Sequence, residues 1–179
     1  MIREFSTKAN SKNSNAKTAF FVLMALAVPF CTLYLLADKY KGIFGLVTMF
    51  FLVGAVYIYT RYIGVQYYYD ITFEHTGEPL FVVRRVVGKN SSTLARVALA
   101  EITSIKRESR SEMKTHKTPF GYRKYFYTPT LFPDEVVRLC VISAYEKAEI
   151  VIEISKEYSD TLSTYICEAG GELAECLEQ

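Results

Sequence analysis

Two long uncharged apolar runs, Thr18 to Ala37 and Gly42 to Thr60, flank the four residues Asp38-Lys39-Tyr40-Lys41, and no other feature constrains the fold as strongly. A helix rises about 1.5 Å per residue and a bilayer's hydrocarbon core is about 30 Å thick, so a spanning helix needs about twenty apolar residues. The runs hold 20 and 19. Residues 18–62 therefore read as a transmembrane helical hairpin. Pro29 is expected to kink the first span, and Gly42, Gly45 and Gly54 allow close helix approach in the second, within the hairpin or between two copies. Tyr34, Tyr40, Tyr57, Tyr59 and Tyr62 suit the interfacial aromatic belt. A cleavable signal core is shorter, about 7 to 15 residues, which argues against removal of the first run. Arg3, Lys8, Lys12, Lys17 and Arg61 flank the hairpin, against Lys39 and Lys41 in its loop. That bias predicts a multi-pass protein of the cell membrane with both termini cytoplasmic.

The rest of the 179 residues suffices for one domain of about 100 residues, expected over 65–169. Residues 1–17, rich in Ser, Asn and Lys without apolar periodicity, read as a flexible cytosolic tail, and 170–179 as an acidic tail. The formal charge of +2 conceals an asymmetry: residues 82–124 hold eleven Lys and Arg against three acids, and residues 133–179 three against eleven. Blocks of opposite sign neutralise one another when strands bring them together. Cys31, Cys140, Cys167 and Cys176 show no CxxC spacing, so reduced thiols are expected, with no metal site or cofactor.

From Tyr67 onward short apolar runs alternate with turn residues. Tyr69 to Glu74, Leu80 to Val87, Ser92 to Leu99, Ile102 to Arg107, Tyr125 to Tyr127, Val136 to Ser143 and Glu149 to Ile154 predict about seven strands. In the last, Ile150, Ile152 and Ile154 are expected in the core, with Glu149, Val151 and Glu153 mostly in water. The period then changes. Tyr158, Leu162, Tyr165 and Ile166 form the stripe of an amphipathic helix, with Ser155 as N-cap and Gly170-Gly171 as stop.

Seven short strands closed by one helix resemble the bacterial pleckstrin-homology-like (PH-like) domain family. The resemblance covers roughly Tyr67 to Ile166 and rests on YDITFEHTGEPLFVVRRVVGKN, on VALAEITSIKRES, and on VRLCVISAYEKAEIVIEIS running into KEYSDTLSTYI. It implies a seven-stranded PH-like barrel capped by a C-terminal helix and carried by a membrane hairpin. Domains of this family are regarded more often as protein-contact or assembly modules than as lipid binders. The connection from 107 to 124 is long for such a barrel.

That connection holds the candidate site. Lys106, Arg107, Arg110, Lys114, Lys117, Arg123 and Lys124, with His116, interleave with Phe120, Tyr122 and Tyr125, a composition suited to anionic lipid headgroups. The same stretch reads also as an exposed, solvated loop. Arg84 and Arg85 point to opposite faces of their strand, so at most one joins a given pocket. His75 and His116 have no recognisable partner pattern, and the chain has no P-loop, GxSxG, HExxH or GxGxxG motif. The expectation is a non-enzymatic, membrane-anchored interaction module with a protein partner and no nucleic acid. The alternatives are anionic-lipid sensing through 106–124, or an auxiliary subunit of a membrane complex or transporter.

Overall fold

The computed structural model describes residues 5–9 and 14–170. Contacts divide the chain into a helical unit, Lys12–Val65, and a mostly-sheet unit built from the segments on either side of it. The acidic tail beyond Gly170, with Cys176, lies outside the described residues.

The first described element is strand β1, Phe5–Lys8, and it corrects the expectation of a flexible tail over 1–17. Helix α1, Ser14–Leu36, then takes up the end of that tail. A 3-10 turn, Asp38–Tyr40, leads to α2, Lys41–Ile58, which ends in a π-helical turn, Tyr59–Ile63. Both helices are long and apolar enough to cross a membrane, with mean hydropathy 2.3 and 2.0. Only 6% of each apolar window is buried, so neither is the core helix of a globular fold. They pack antiparallel: Phe30 meets Phe51 with ring centroids 5.6 Å apart, and Phe20 meets Tyr59 at 6.0 Å. A Cβ on Gly45 would stand 3.2 Å from the Tyr34 ring, and one on Gly54 would stand 3.4 Å from Leu23. These two glycines are thus spent on closure within the hairpin.

The sheet unit continues with β2, Val65–Phe73; β3, Pro79–Val87; and β4, Asn90–Ala98. With β1 these form one four-stranded sheet in the order β1-β2-β3-β4. β1 lies antiparallel to β2, Phe5 opposite Ile71 and Lys8 opposite Tyr68. The Ala9 amide extends the ladder to the Tyr67 carbonyl at 3.0 Å. Four residues carry too few side chains to reveal a period, and the open edge of β2 supplies the order that propensity does not.

The second sheet comprises β5, Ile102–Ser109; β6, Arg123–Phe126; β7, Glu135–Ile142; and β8, Lys147–Ile152, in the order β5-β7-β8-β6. Among the described residues there are therefore eight strands in two four-stranded sheets, not seven in sequence order. β5 and β7 are antiparallel, as are β7 and β8, while β6 runs parallel to β8. β5 and β6 are consequently parallel strands on opposite edges of one sheet. Such a pair needs a crossover of about a dozen residues, which accounts for the length of the 110–122 connection. Its first part is a short helix, α3, Arg110–Thr115.

The core lies between the sheets and under helix α4, Lys156–Glu168. Tyr67, Tyr69, Ile71, Phe81, Val83, Leu139, Ile150 and Ile152 are all buried, and Tyr158, Leu162 and Ile166 of α4 bury the predicted stripe. Each large apolar side chain contributes about 1.5–3 kcal/mol. Ser155 caps α4 by accepting from the Tyr158 amide at 3.3 Å, and Gly170 leaves it at φ +83°. The Tyr158 hydroxyl donates to the Tyr69 carbonyl, and its ring meets Phe5 of β1 at 5.3 Å. Burial pushes the phenol pKa of both tyrosines up, so they act as neutral donors.

Candidate functional site

The 110–122 crossover passes over the outer face of the second sheet. Alternation places Glu108 of β5, Arg138 of β7 and Glu149 of β8 on that face. Glu108 is 1% exposed, Arg138 3% and Glu149 0%. The expectation that Glu149 and Val151 face water is therefore overturned, because the crossover roofs a face that alternation alone would leave open.

Arg138 donates to Glu108 Oε2 from Nη2 at 2.5 Å and from Nε at 3.1 Å, and its Nη1 lies against Glu149. His116, which follows α3, closes the group from above. Its Nδ1 is 3.0 Å from Glu108 Oε1 and its Nε2 3.1 Å from Glu149 Oε1. Lys106 approaches Glu108 at 3.7 Å from the rim. Burial pushes the Glu108 carboxyl pKa up, but the hydrogen bonds and charge of Arg138, helped by His116 and Lys106, hold it below the usual range. The partners of His116 come from strands 8 and 33 residues away, which no local spacing reveals.

The start of the crossover is fixed independently. Ser109 and Glu112 form a capping box, with the Ser109 amide and hydroxyl donating to Glu112 at 2.7 and 2.8 Å. The Arg110 amide donates to the Asp134 carbonyl at 2.9 Å. Farther along, the Tyr122 amide donates to the Pro119 carbonyl across a turn in which Gly121 has φ +83°, a conformation that side chains resist. Phe120 at this tip is fully exposed.

The seven basic residues singled out from the sequence do not form one patch. Arg107 pairs with Glu135 at 2.7 Å, and Arg123 approaches Glu146 at 3.7 Å. The Arg110 guanidinium lies over Phe132 at 5.5 Å, and Lys124 over Phe126 at 4.9 Å. Burial and Arg138 lower the Lys124 pKa against the pull of Glu108. Lys114 and Lys117 are exposed, and among the described residues neither has a carboxylate or ring partner. Of the two strand arginines, Arg84 pairs through Nε with the buried Asp70 carboxylate. The contacts of Arg107, Arg123 and His116 join the basic block to the acidic one, as the charge asymmetry anticipates.

A separate cavity of about 300 Å³ opens near the β7–β8 turn. The parallel rings of Tyr125 and Tyr127, 6.1 Å apart, form part of its wall, with Val141, Ile150, Glu101 and Glu146 also among its lining. Among the described residues no group of three His, Cys, Asp or Glu side chains is placed to hold a metal ion. Cys31 and Cys140 are free thiols, but Cys167 is disulfide-bonded, which corrects the expectation of reduced thiols throughout. No protein-family model, curated protein or solved structure matches the chain.

Proposed function

We propose that this protein is a membrane-anchored, non-enzymatic interaction module, with a PH-like domain held at the cytoplasmic face of the bilayer for protein binding or assembly. The observation that carries the reading is the place of the hairpin in the chain. It is inserted in the connection between β1 and β2, and those strands pair with each other. The domain is thus tied to the bilayer through two adjacent strands, a short double tether that keeps any partner surface at the membrane and raises its effective concentration there. Two packed sheets with a C-terminal helix support the PH-like reading. The crossover and the strand donated from before the hairpin are its departures from a plain meander.

The test is photo-crosslinking of the full-length protein in native membranes from position 145, where Tyr145 is 98% exposed and precedes Glu146 of the cavity lining. A discrete, stoichiometric protein adduct is the expected result. Adducts with lipid alone would reject protein binding at this surface.

The exposed Phe120 tip favours a second reading, contact with anionic lipid. An exposed aromatic ring in the same crossover as the exposed Lys114 and Lys117 has the composition of an interfacial insertion, at about 1 kcal/mol per basic residue near the surface. On this reading, Lys114→Glu with Lys117→Glu weakens salt-sensitive association of the reconstituted protein with added anionic vesicles. Unchanged association would remove the loop from lipid recognition.

A further inference from the structure

We propose that the free edge of β4 receives an extended basic segment of a partner protein, which adds a strand to the first sheet and sets one arginine or lysine side chain into the cavity beside Glu101. The inference rests on the protein-binding reading above and gives that partner a chemistry.

The pattern of lining residues fixes how the cavity meets each sheet. Leu94, Ala95, Arg96 and Val97 of β4 all line it. Successive residues of a strand point to opposite faces, so a cavity that touches four in a row meets the strand along its edge. β4 is the last strand of its sheet and, among the described residues, pairs with β3 alone. Every second residue of an antiparallel strand turns its N–H and C=O away from its partner, so this edge offers main-chain donors and acceptors to the cavity. The second sheet is met differently. Tyr125 of β6, Tyr127 just after it, Val141 of β7, and Ala148 and Ile150 of β8 stand at alternate positions, which is one face of that sheet. Val141, Ala148 and Ile150 are buried, so it is the inner face. The first sheet therefore stops short of covering the second at the place where Tyr125 and Tyr127 remain half-buried. A strand added to β4 would continue it over the two rings.

Charge selects the occupant. Glu101, in the 3-10 turn Leu99–Glu101 after β4, is half-buried, and among the described residues its carboxylate has no hydrogen bond or ion pair. Glu146, the other acid of the lining, accepts from the Tyr125 hydroxyl at 3.4 Å and is approached at 3.7 Å by Arg123, a side chain 77% exposed. Arg96 is exposed while its neighbour Val97 is buried, so Arg96 stands on the outer face of the first sheet. The charge left unpaired at the cavity is thus negative and lies in one lining with two aromatic rings. An arginine or lysine side chain matches that lining, its apolar stem against Val97 and Ile150 and its charged head with the tyrosine rings and Glu101. The chain's own C-terminal tail, with Glu172, Glu175 and Glu178, has the wrong sign.

The edge is also built against indiscriminate pairing. Val83 stands opposite Ala95 and Arg84 opposite Thr93, which makes Leu94 an extra residue in β4. Such a bulge bends a strand and resists long edge-to-edge ladders. The added strand is accordingly short, and its selection falls to the side chain in the cavity.

Fluorescence anisotropy with the full-length protein in neutral-lipid nanodiscs, at about 0.15 M salt, tests the proposal with labelled pools of capped peptides of about five residues. Each pool has mixed valine, isoleucine, threonine and tyrosine flanks, so that no one flanking sequence decides the result. The centre is fixed as arginine, norleucine or glutamate. The arginine pool should bind saturably and at least about tenfold more tightly than the other two, which lack the charge-assisted contact. An arginine pool N-methylated along its backbone keeps the charge but cannot complete the ladder, and should also lose at least about tenfold. Glu101→Gln, where the carboxylate holds no other side chain in place, should bring the arginine pool down to the norleucine level. No saturable binding by the arginine pool, equal binding of the arginine and norleucine pools, indifference to N-methylation, or an unchanged preference in Glu101→Gln would each overturn the proposal. A protein adduct at position 145 alongside any of these results leaves partner binding in place and removes this chemistry alone. Adducts with lipid alone at that position would remove both.

Discussion

Arg138 shows how much one side chain carries when it is enclosed between two carboxylates. Removing one partner of a buried ionic group costs more than the group's formation gains, because the remaining charges stay buried without compensation. Arg138→Ala should therefore destabilise the domain by about 3–5 kcal/mol, read from denaturant midpoints of the full-length protein in detergent. Replacing the whole group with Glu108→Leu, Arg138→Met and Glu149→Leu should recover most of that loss, since an apolar set of similar volume has no desolvation cost. A triple variant as unstable as the single one would mean that the ionic geometry itself is what the fold requires. Glu108 adds a pH dependence of defined sign. Burial raises its pKa, but Arg138 more than offsets this, so the folded value is depressed. Its contribution is present above the ordinary carboxyl pKa and is lost as pH falls through the lowered folded value. The acid limb of thermal stability against pH should accordingly flatten in Glu108→Gln.

Among the elements, β1 changes how the domain can be isolated. A fragment beginning at Val65 lacks Phe5 to Lys8 and leaves the edge of β2 unpaired, an invitation to edge-to-edge association. Joining Ala9 to Val65 through a short Gly-Ser linker in place of the hairpin retains the strand, because the Ala9 amide already reaches the Tyr67 carbonyl. Sedimentation and circular dichroism should show that version folded and monomeric, while the fragment from Val65 is less stable and self-associates. Equal stability of the two would make β1 dispensable. The elements also divide by how they are encoded. The hairpin and α4 are legible because their signals are local: twenty apolar residues in a row, and a stripe at helical spacing with a serine at its head. β3, β4 and β7 are legible from alternation and turns. β1 is not, since its order comes from a partner edge 60 to 66 residues away, from Lys8 opposite Tyr68 to Phe5 opposite Ile71. Nor is the burial of Glu149, since the roof over it is a crossover whose path depends on β6 reaching the far edge of the sheet. The basic residues of 106–124 were identifiable by type, but their partners were not. Arg107, Arg123 and His116 are matched with carboxylates distant in sequence, and the one clue was the opposed charge of the two halves.

At the scale of the whole molecule, pairing across the hairpin restricts topology more firmly than loop charges do. β1 precedes the two spans and β2 follows them, so a folded first sheet requires both flanks on one side of the membrane and the Asp38–Tyr40 turn on the other. Which side is which rests on the five basic flanking residues against two in the turn, and favours a cytoplasmic domain. The disulfide at Cys167 pulls the other way, because such bonds persist mainly outside the reducing cytosol. The two signals can be separated in intact cells with a membrane-impermeant maleimide and single cysteines introduced into a background in which Cys31, Cys140, Cys167 and Cys176 are all replaced by Ser. Lys39→Cys in the turn should label from outside, and Lys117→Cys at the exposed crossover should label only after the membrane is opened. Labelling of position 117 in intact cells, with position 39 protected, would put the domain in an oxidising compartment where the Cys167 bond persists, and would move its partners from cytoplasmic proteins to extracytoplasmic ones. Labelling of both positions from the same side would be incompatible with β1–β2 pairing, and the first sheet as described would have to be abandoned.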